Sequence, residues 1–224
     1  MIRAKSEEPN LRRQRETIRP VKLPEPALKR SGSLTRALEL RMTTRDISQR
    51  KLPLQTLSNV IWAACGINRR KGPFGIPGRT AASASNSQEI EVYVALEQGT
   101  YLYDPRLHQL TPVAAADLRR FAIGPGQREV GSDAPLRLIY VVDIDKLVHT
   151  AGYQEPGLRD PDVQSSYYYV DTGMIAANVY LFAASSGLAA WFHNCDKVQL
   201  SRLLNLRKDQ RVLFGQTVGY SISA

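Results

Sequence analysis

The chain has 224 residues, of which 43% are hydrophobic and 23% are charged, the composition of an ordinary globular domain. This length excludes a long multidomain assembly and allows one sizeable core, or one domain with an appendage. The net charge is +9, which indicates nucleic-acid binding only if the charge is spread over a surface. Residues 1–36, however, hold ten Lys and Arg against four Asp and Glu, so most of the excess lies at the N-terminus.

We therefore interpret residues 1–32 as an extended basic arm, partly disordered, and residues 33–224 as the folded domain. A basic arm that binds nucleic acid or a membrane surface is the alternative, but we expect neither among the partners. The two cysteines, Cys65 and Cys195, cannot make a disulfide framework, and their surroundings in the sequence lack metal-ligand spacing. A reduced, cytoplasmic location is the expectation, with a processed exported form as the alternative.

Helical periodicity organises the first part of the domain. Residues 33–40 are predicted to form a short helix capped by Ser33, and residues 53–66 a stronger one that starts at a proline and ends at a glycine. Residues 41–45 between them are predicted to be a loop. Residues 66–80, rich in glycine, proline and cations, form a long loop where a ligand could approach.

Strand patterns dominate the middle of the chain. Residues 91–96 and 99–104 read as two strands joined by a Gln-Gly turn. Residues 114–121 are predicted to be helical. The continuous apolar run 136–142 is predicted to be a buried central strand.

The last third contains the longest predicted helix. Residues 150–170 are predicted to be irregular, and Asp171 to cap a helix that Gly187 ends. This helix is apolar nearly all round, so it is expected in the core or against another subunit. A helix over residues 197–204 and a final strand over 212–220 complete the predicted elements.

Two segments carry chemistry. Residues 41–45, Arg-Met-Thr-Thr-Arg, offer forked guanidiniums and hydroxyls that suit phosphate oxygens, although an ordinary solvated loop is the alternative. Residues 79–88 have nearly all small side chains until Asn86 and Gln88, so a flat ligand could lie against the backbone beside donors and acceptors for a heterocycle edge. The alternative there is a serine-rich connection.

With these pieces in order, the sequence resembles the nitroreductase-like flavoprotein family, and within it the stand-alone relatives of the thiazole/oxazole (peptide azoline) dehydrogenases. The resemblance extends from about Leu23 to the end of the chain. The segments that carry it are Leu23-Pro24, 33–40, 41–46, 57–69, 79–88, Tyr101-Leu102-Tyr103, Asp171-Thr172-Gly173, Asn178, Gly187-Leu188 and Val218-Gly219-Tyr220.

The resemblance implies an α+β fold with a mostly antiparallel sheet flanked by helices, and an interlocked homodimer with FMN at the interface. It implies an FMN-dependent oxidoreductase in which the flavin carries the chemistry, NAD(P)H is the electron donor, and a small flat nitroaromatic or quinone-like molecule is the acceptor. A peptide or small-molecule azoline-like substrate, or a flavin-binding module without turnover, are the alternatives. The cofactor-binding residues that it implies are Arg41, Met42, Thr43, Arg45, Arg79, Ser83, Ala84, Ser85, Asn86, Ala189, Ala190, His193 and Asn194.

Two departures from the family pattern concern the site. The chain stops four residues after Tyr220, where many members carry another cation of the phosphate site, and Arg211 is the candidate replacement. Asn194-Cys195 stands where the family often has Glu-Gly. The candidates for the substrate pocket are Phe74, Tyr153, Tyr168 and Trp191, with core packing as the alternative for the tyrosines.

Overall fold

A seven-stranded sheet with antiparallel pairing throughout forms the centre of the molecule. The computed structural model describes residues 18–27, 32–128, 133–152 and 159–222. In the spatial order β1-β6-β5-β4-β7-β9-β8, the strands are β1 (Val21–Lys22), β6 (Gln109–Ala114), β5 (Gly99–Asp104), β4 (Ile90–Leu96), β7 (Leu136–Asp143), β9 (Gln210–Gly219) and β8 (Ala189–His193). A separate ribbon pairs β2 (Ile67–Arg69) with β3 (Gly78–Arg79).

Helices cover both faces of the sheet. They are α1 (Leu34–Leu40), α2 (Leu54–Cys65), α3 (Ile144–Val148), α4 (Pro161–Ser185) and α5 (Lys197–Leu203). The larger core packs α2 and α4 on one face, through side chains such as Ile61 and Val179, and the smaller one packs α5 on the other face through Leu200. In the described part of the chain, no helix has the length and apolarity needed to cross a membrane.

The expected α+β class is confirmed, as are several elements. Ser33 caps α1, since its Oγ accepts from the N–H of Arg36 at 3.1 Å. The helix starting after Pro53 and ending at Gly66 is present. All eight residues of β7 are buried between the two cores. The buried central strand predicted for residues 136–142 is therefore present, and its burial includes the charged Arg137 and Asp143.

The prediction of a helix over residues 114–121 is wrong. Strand β6 ends at Ala114, and the chain then turns without forming a helix. Asp117 accepts from the N–H of Arg119 at 3.0 Å, a local bond that competes with helical hydrogen bonding. The helix propensity of the three alanines is overridden because β6 pairs with β5 up to Ala114.

The predicted start of the longest helix is also wrong. Helix α4 begins at Pro161, and Asp160 caps it by accepting from the N–H of Asp162 at 2.9 Å. Residues 161–170 are therefore helical rather than irregular. Asp171 lies inside the helix, 4% exposed, where it faces the protein instead of capping.

The described part of the predicted arm, residues 18–27, contacts the body. Val21 and Lys22 pair with β6, Leu23 is buried, and the N–H of Leu23 donates to the carbonyl of His108 at 3.1 Å. Residues 1–17 and 28–31 lie outside the described residues, so the boundary at residue 32 stays a prediction.

Candidate functional site

Residues 41–45, here called the arginine loop, lie between the edge strand β8 and the long helix α4. The N–H of Thr44 donates to the carbonyl of Ala190 at 3.0 Å. The hydroxyl oxygens of Thr43 and Tyr180 lie 3.1 Å apart, and the same Tyr180 oxygen accepts from the N–H of Phe192 at 2.8 Å. Tyr180 therefore joins the loop, the helix and the strand.

Both arginines of the loop are exposed and rest on aromatic rings. The guanidinium carbon of Arg41 is 5.7 Å from the ring centre of Tyr180, and that of Arg45 is 5.4 Å from the ring of Trp191. Among the described residues, neither guanidinium pairs with a carboxylate. Cations held by stacking, without an internal anion, leave their N–H donors for an external anion such as a phosphate. Met42, 65% exposed, lies between them in the sequence.

The strand β8 lies beside the arginine loop and has one sheet partner, β9. Ala189 and Ala190 are buried, and the carbonyl of Ala190 and the N–H of Phe192 point outward to the loop and to Tyr180. Asn194, just after the strand, is exposed. An edge strand presents backbone donors and acceptors that no second strand takes up.

The side chain of His193 is engaged within the protein. Its Nε2 is 2.7 Å from the hydroxyl of Thr217, and its Nδ1 is 2.9 Å from the carbonyl of Asn194. Burial lowers the pKa of His193 to about 4, so the ring is neutral: Nδ1 donates to the carbonyl, and Nε2 accepts from the hydroxyl. Any contact of this residue with a cofactor is left to its backbone.

A second candidate region, residues 83–88, is here called the small-residue loop. Ser85, Asn86 and Gln88 have φ angles of 48°, 55° and 53°, in the left-handed region that disfavours residues with a Cβ. Such conformations cost on the order of 1–3 kcal/mol each and persist only where neighbouring contacts enforce them. Strain of this kind is typical of ligand-binding loops.

Hydrogen bonds from several elements hold the small-residue loop. Asp171 of α4 accepts from the N–H of Ala84 at 2.8 Å. Within the loop, the Oγ of Ser83 accepts from the N–H of Gln88 at 3.0 Å. Arg79 donates through Nε to Oε1 of Gln88 at 2.7 Å, which brings this predicted cofactor residue to the loop.

Phe74 borders the same loop. Phe74 is 55% exposed, and its ring packs on Gly152, where an added Cβ would lie 2.2 Å from a ring carbon. The Oγ of Ser85 is 3.5 Å from the carbonyl of Gly152. The substrate-pocket candidate Phe74 and the small-residue loop therefore form one surface.

The other substrate-pocket candidates lie elsewhere. Tyr168 is 5% exposed and packs in the larger core. Trp191 is 3% exposed and lies under Arg45 of the arginine loop. Tyr153 is outside the described residues. One chain therefore does not bring Phe74, Tyr168 and Trp191 into a single pocket.

The two loops contact opposite faces of α4. The arginine loop contacts it at Tyr180, and the small-residue loop at Asp171. Nine residues of helix correspond to a rise of about 14 Å and a rotation of about 180°. Each chain thus presents two candidate half-sites that face away from each other.

Arg211 does not complete the phosphate half-site within one chain. It pairs with Val142 near the start of β9, whereas Ala190, beside the arginine loop, is opposite Val218 near its end. Seven strand residues span about 23 Å. Arg211 lies instead close enough to Tyr168 to lower the pKa of that phenol by hydrogen bonding, against the larger effect of burial, which raises it.

Sequence reasoning missed three residues that organise these half-sites. Tyr180 carried no signal, because one tyrosine in an apolar helix is typical of a core position. Glu89 follows the small-residue loop and is fully buried, although a charged residue before a strand usually faces water. Gly152 lies next to Phe74 only through the tertiary fold.

Comparison with known proteins gives the class. The sequence profile of the Nitroreductase family matches residues 38–220. A crystal structure from Ralstonia eutropha, provisionally named a nitroreductase, is 35% identical and superimposes with a TM-score of 0.78 over 92% of this chain and 91% of that one. The fold and the match define a flavin-type oxidoreductase. The chain belongs to the nitroreductase family.

Two more distant structures share the fold. The Escherichia coli microcin synthetase complex with truncated pro-microcin bound matches with a TM-score of 0.62 and 17% identity, over 88% of this chain and 77% of that one. The NADPH:FMN oxidoreductase of Vibrio harveyi, complexed with NAD+, matches with a TM-score of 0.55 and 19% identity, over 84% of this chain and 69% of that one.

Proposed function

We propose that this protein is an FMN-dependent oxidoreductase that works as a homodimer. Hydride or electrons pass from NAD(P)H to a small flat acceptor, nitroaromatic or quinone-like, in two successive half-reactions at one bound flavin. The observation that carries the proposal is the pair of half-sites on opposite faces of α4, one cationic and one lined by small side chains.

The residues present fit an FMN group. Arg41 and Arg45 have no carboxylate partner within the described ranges, so they are suited to the phosphate, with the hydroxyl of Thr43 beside them. The small-residue loop presents backbone and small side chains to the flat ring, and Arg79 would stabilise negative charge at its pyrimidine end. The end of β8, at the exposed Asn194, would face the other side of the ring.

An exposed apolar stripe supports a dimer. Val170, Met174, Ala177 and Leu181 follow one another on α4 at intervals of four, three and four residues, which is the spacing of a helix–helix seam. Val170 is 54% and Met174 43% exposed, although such a stripe is normally covered. The proposed cover is the same face of a second chain.

Nearby apolar residues on α1 extend that surface. Leu34 and Leu38 are 65% and 59% exposed, and α1 packs against α4. Association through α4 would bring the arginine loop of one subunit toward the small-residue loop of the other. The two half-sites would then form complete sites at the interface.

The test is flavin retention in the double variant Arg41→Ala/Arg45→Ala. We expect its FMN affinity to fall at least about 100-fold, since two charge-assisted phosphate contacts are lost, while circular dichroism shows a folded protein. The control with equal charge loss is Arg106→Ala/Lys208→Ala, on exposed positions away from both loops. Unchanged FMN affinity in the first variant would refute the phosphate assignment.

Anaerobic NADPH addition then tests the donor. Bleaching of the visible flavin absorption would support a reductase, whereas bound flavin that ignores NADH and NADPH would favour the alternative functions. The fold shared with the microcin synthetase complex makes an azoline-containing peptide the first substrate to try in that case. Absence of flavin binding at any concentration would overturn the proposal.

A further inference from the structure

A buried pair of carboxyl groups lies behind the small-residue loop. Glu89 is 0% exposed, and the hydroxyl of Ser87 donates to its Oε2 at 2.6 Å. Its Oε1 has no hydrogen-bond partner among the described residues. Asp171 on α4 is 4% exposed. Both carboxyl groups bind the same loop, since Asp171 accepts from the N–H of Ala84 and Glu89 accepts from the hydroxyl of Ser87.

The surroundings offer little positive charge to this pair. Arg79 lines the same cavity as Asp171, and its Nε donates to Gln88. Cys65 of α2 is neutral, because burial raises the pKa of its thiol to about 11. Asp143 of β7 contacts Glu89 through its backbone N–H, while its carboxylate pairs with Arg207 and Lys146.

Two like charges that are both buried and both bound to residues 84–87 cannot both ionise without a large cost. Burial, together with the charge of Asp171, raises the pKa of Glu89 from 4.5 to about 7. The pKa of Asp171 is also raised by burial, although the N–H of Ala84 opposes this rise. One proton on Glu89, directed at Asp171, removes the repulsion and leaves Asp171 charged to hold Ala84.

The loop depends on that contact. The bond from the N–H of Ala84 to Asp171 anchors the small-residue loop to α4, next to the strained residues Ser85 and Asn86. A strained segment relaxes when its anchor is lost. Displacement of Asp171 would therefore release the loop.

We propose that Glu89 and Asp171 share one proton and act as positioning residues, and that this shared proton holds the small-residue loop in its ligand-binding conformation. The role in binding rests on the proposed flavin function, but the role in loop conformation does not. Glu89 binds the proton more tightly when the loop is held than when the loop is released, because release exposes Glu89 to water. The held conformation is thus favoured at low pH and loses this stabilisation between about pH 4.5 and 7.

Hydrogen–deuterium exchange without added flavin tests the loop directly. Peptides that cover residues 83–88 are compared at pH 5.5 and 8.0, after correction for intrinsic exchange rates. In the wild type we expect protection to fall about tenfold or more, since each unit of pH within the window changes the equilibrium by up to about tenfold. Equal protection at the two pH values would overturn the proposal.

Two variants and a control isolate the pair. Glu89→Gln keeps a donor toward Asp171 but cannot titrate, so protection should be high and independent of pH. Asp171→Asn removes the second charge and still offers an acceptor to Ala84, so its pH dependence should shrink. Glu91→Gln alters a carboxylate held by Lys146 and Gln210 and should behave as the wild type. A Glu89→Gln protein with wild-type pH dependence would sink the idea.

FMN titrations at the same pH values separate the two proposals. The quantity to compare is the ratio of the FMN affinity of the wild type to that of Glu89→Gln at each pH, because the titration of the FMN phosphate affects both proteins equally and cancels. If both proposals hold, this ratio falls with rising pH by about the same factor as the protection measured by exchange. If exchange depends on pH but the protein never binds FMN, the flavin function is refuted, whereas the proposal that a shared proton holds the small-residue loop is supported. Tight FMN binding with exchange independent of pH would refute the shared proton alone.

Discussion

The hydroxyl oxygens of Thr43 and Tyr180 lie 3.1 Å apart, so the arginine loop takes its position from the long helix. The change Tyr180→Phe keeps the ring beneath Arg41 but removes this bond and the one from the N–H of Phe192. We expect a loss of about 1–2 kcal/mol, which is about 5–30-fold in FMN affinity. Flavin fluorescence titration measures it.

The control for this change is Tyr101→Phe, a buried tyrosine of β5. This variant shows how the loss of a phenol hydroxyl changes the free energy of unfolding when the tyrosine belongs to a strand outside both loops. A Tyr180→Phe protein that is less stable to urea but binds FMN as before would show that Tyr180 supports the fold alone.

The apolar stripe on α4 predicts the oligomeric state. Val170→Asp/Met174→Asp places two like charges on a seam that would face its own copy, so the dimer should dissociate. We expect a monomer in analytical ultracentrifugation and, because each complete site needs two chains, at least about a 100-fold loss of FMN affinity.

Val198→Asp is the matched control for the stripe. Val198 is 80% exposed on α5, a different helix, so its replacement should leave a flavin-loaded dimer. A monomeric double variant that still binds FMN as tightly as the wild type would contradict the shared site.

The fold was predictable where one signal dominated. The central position of β7 follows from its apolar residues 138–142, whereas the burial of the charged Arg137 and Asp143 in the same strand does not. Helix α2 follows from its period and its terminal glycine. The segment after Ala114 was not predictable in this way, because the pairing of β6 with β5 outweighs the helix propensity of the alanines. The start of α4 differs from the prediction because Asp160 caps the helix and Pro161 occupies its first turn, where proline is tolerated.

The sequence predicts the two candidate half-sites only as separate motifs. The arginine loop and the small-residue loop follow from local composition and family resemblance, because their residue types suit a phosphate and a flat ring. Contacts such as that between Asp171 and Ala84 join residues 87 positions apart and depend on how α4 packs. The burial of the His193 side chain, likewise, follows from the pairing of β8 with β9.

His193 predicts a loss of stability in acid. Its pKa is lowered to about 4 in the folded protein from 6.5, so the unfolded chain binds more protons between these values. The free energy of unfolding should therefore be unaffected above pH 6.5 and fall by up to about 3 kcal/mol as the pH drops toward 4.

Urea denaturation at pH 7.5, 5.5 and 4.5, in the wild type and in His193→Gln, isolates this contribution from that of the carboxylates. The difference between the two proteins should shrink as the pH falls, because only in the wild type does unfolding release an imidazole that then binds a proton. A difference that stays constant with pH would show that His193 titrates normally.

The contact between Phe74 and Gly152 predicts a change in acceptor preference. In Gly152→Ala, the new Cβ would lie 2.2 Å from the ring, so the exposed ring must swing away from the small-residue loop. Since Phe74 is on a surface loop, we expect little loss of stability. The KM for an aromatic acceptor should change by about 5–30-fold, the worth of about 1–2 kcal/mol of apolar contact.

Phe74→Ala removes the same ring by another route and should change KM in the same direction, with FMN affinity preserved in both variants. Gly126→Ala is the control, because an added Cβ there meets no atom within 4 Å. Steady-state kinetics with a nitroaromatic and a quinone provide the measurement. If KM stays at the wild-type value in both Gly152→Ala and Phe74→Ala, the ring does not border the acceptor, and the acceptor approaches the flavin from the side of β8 instead.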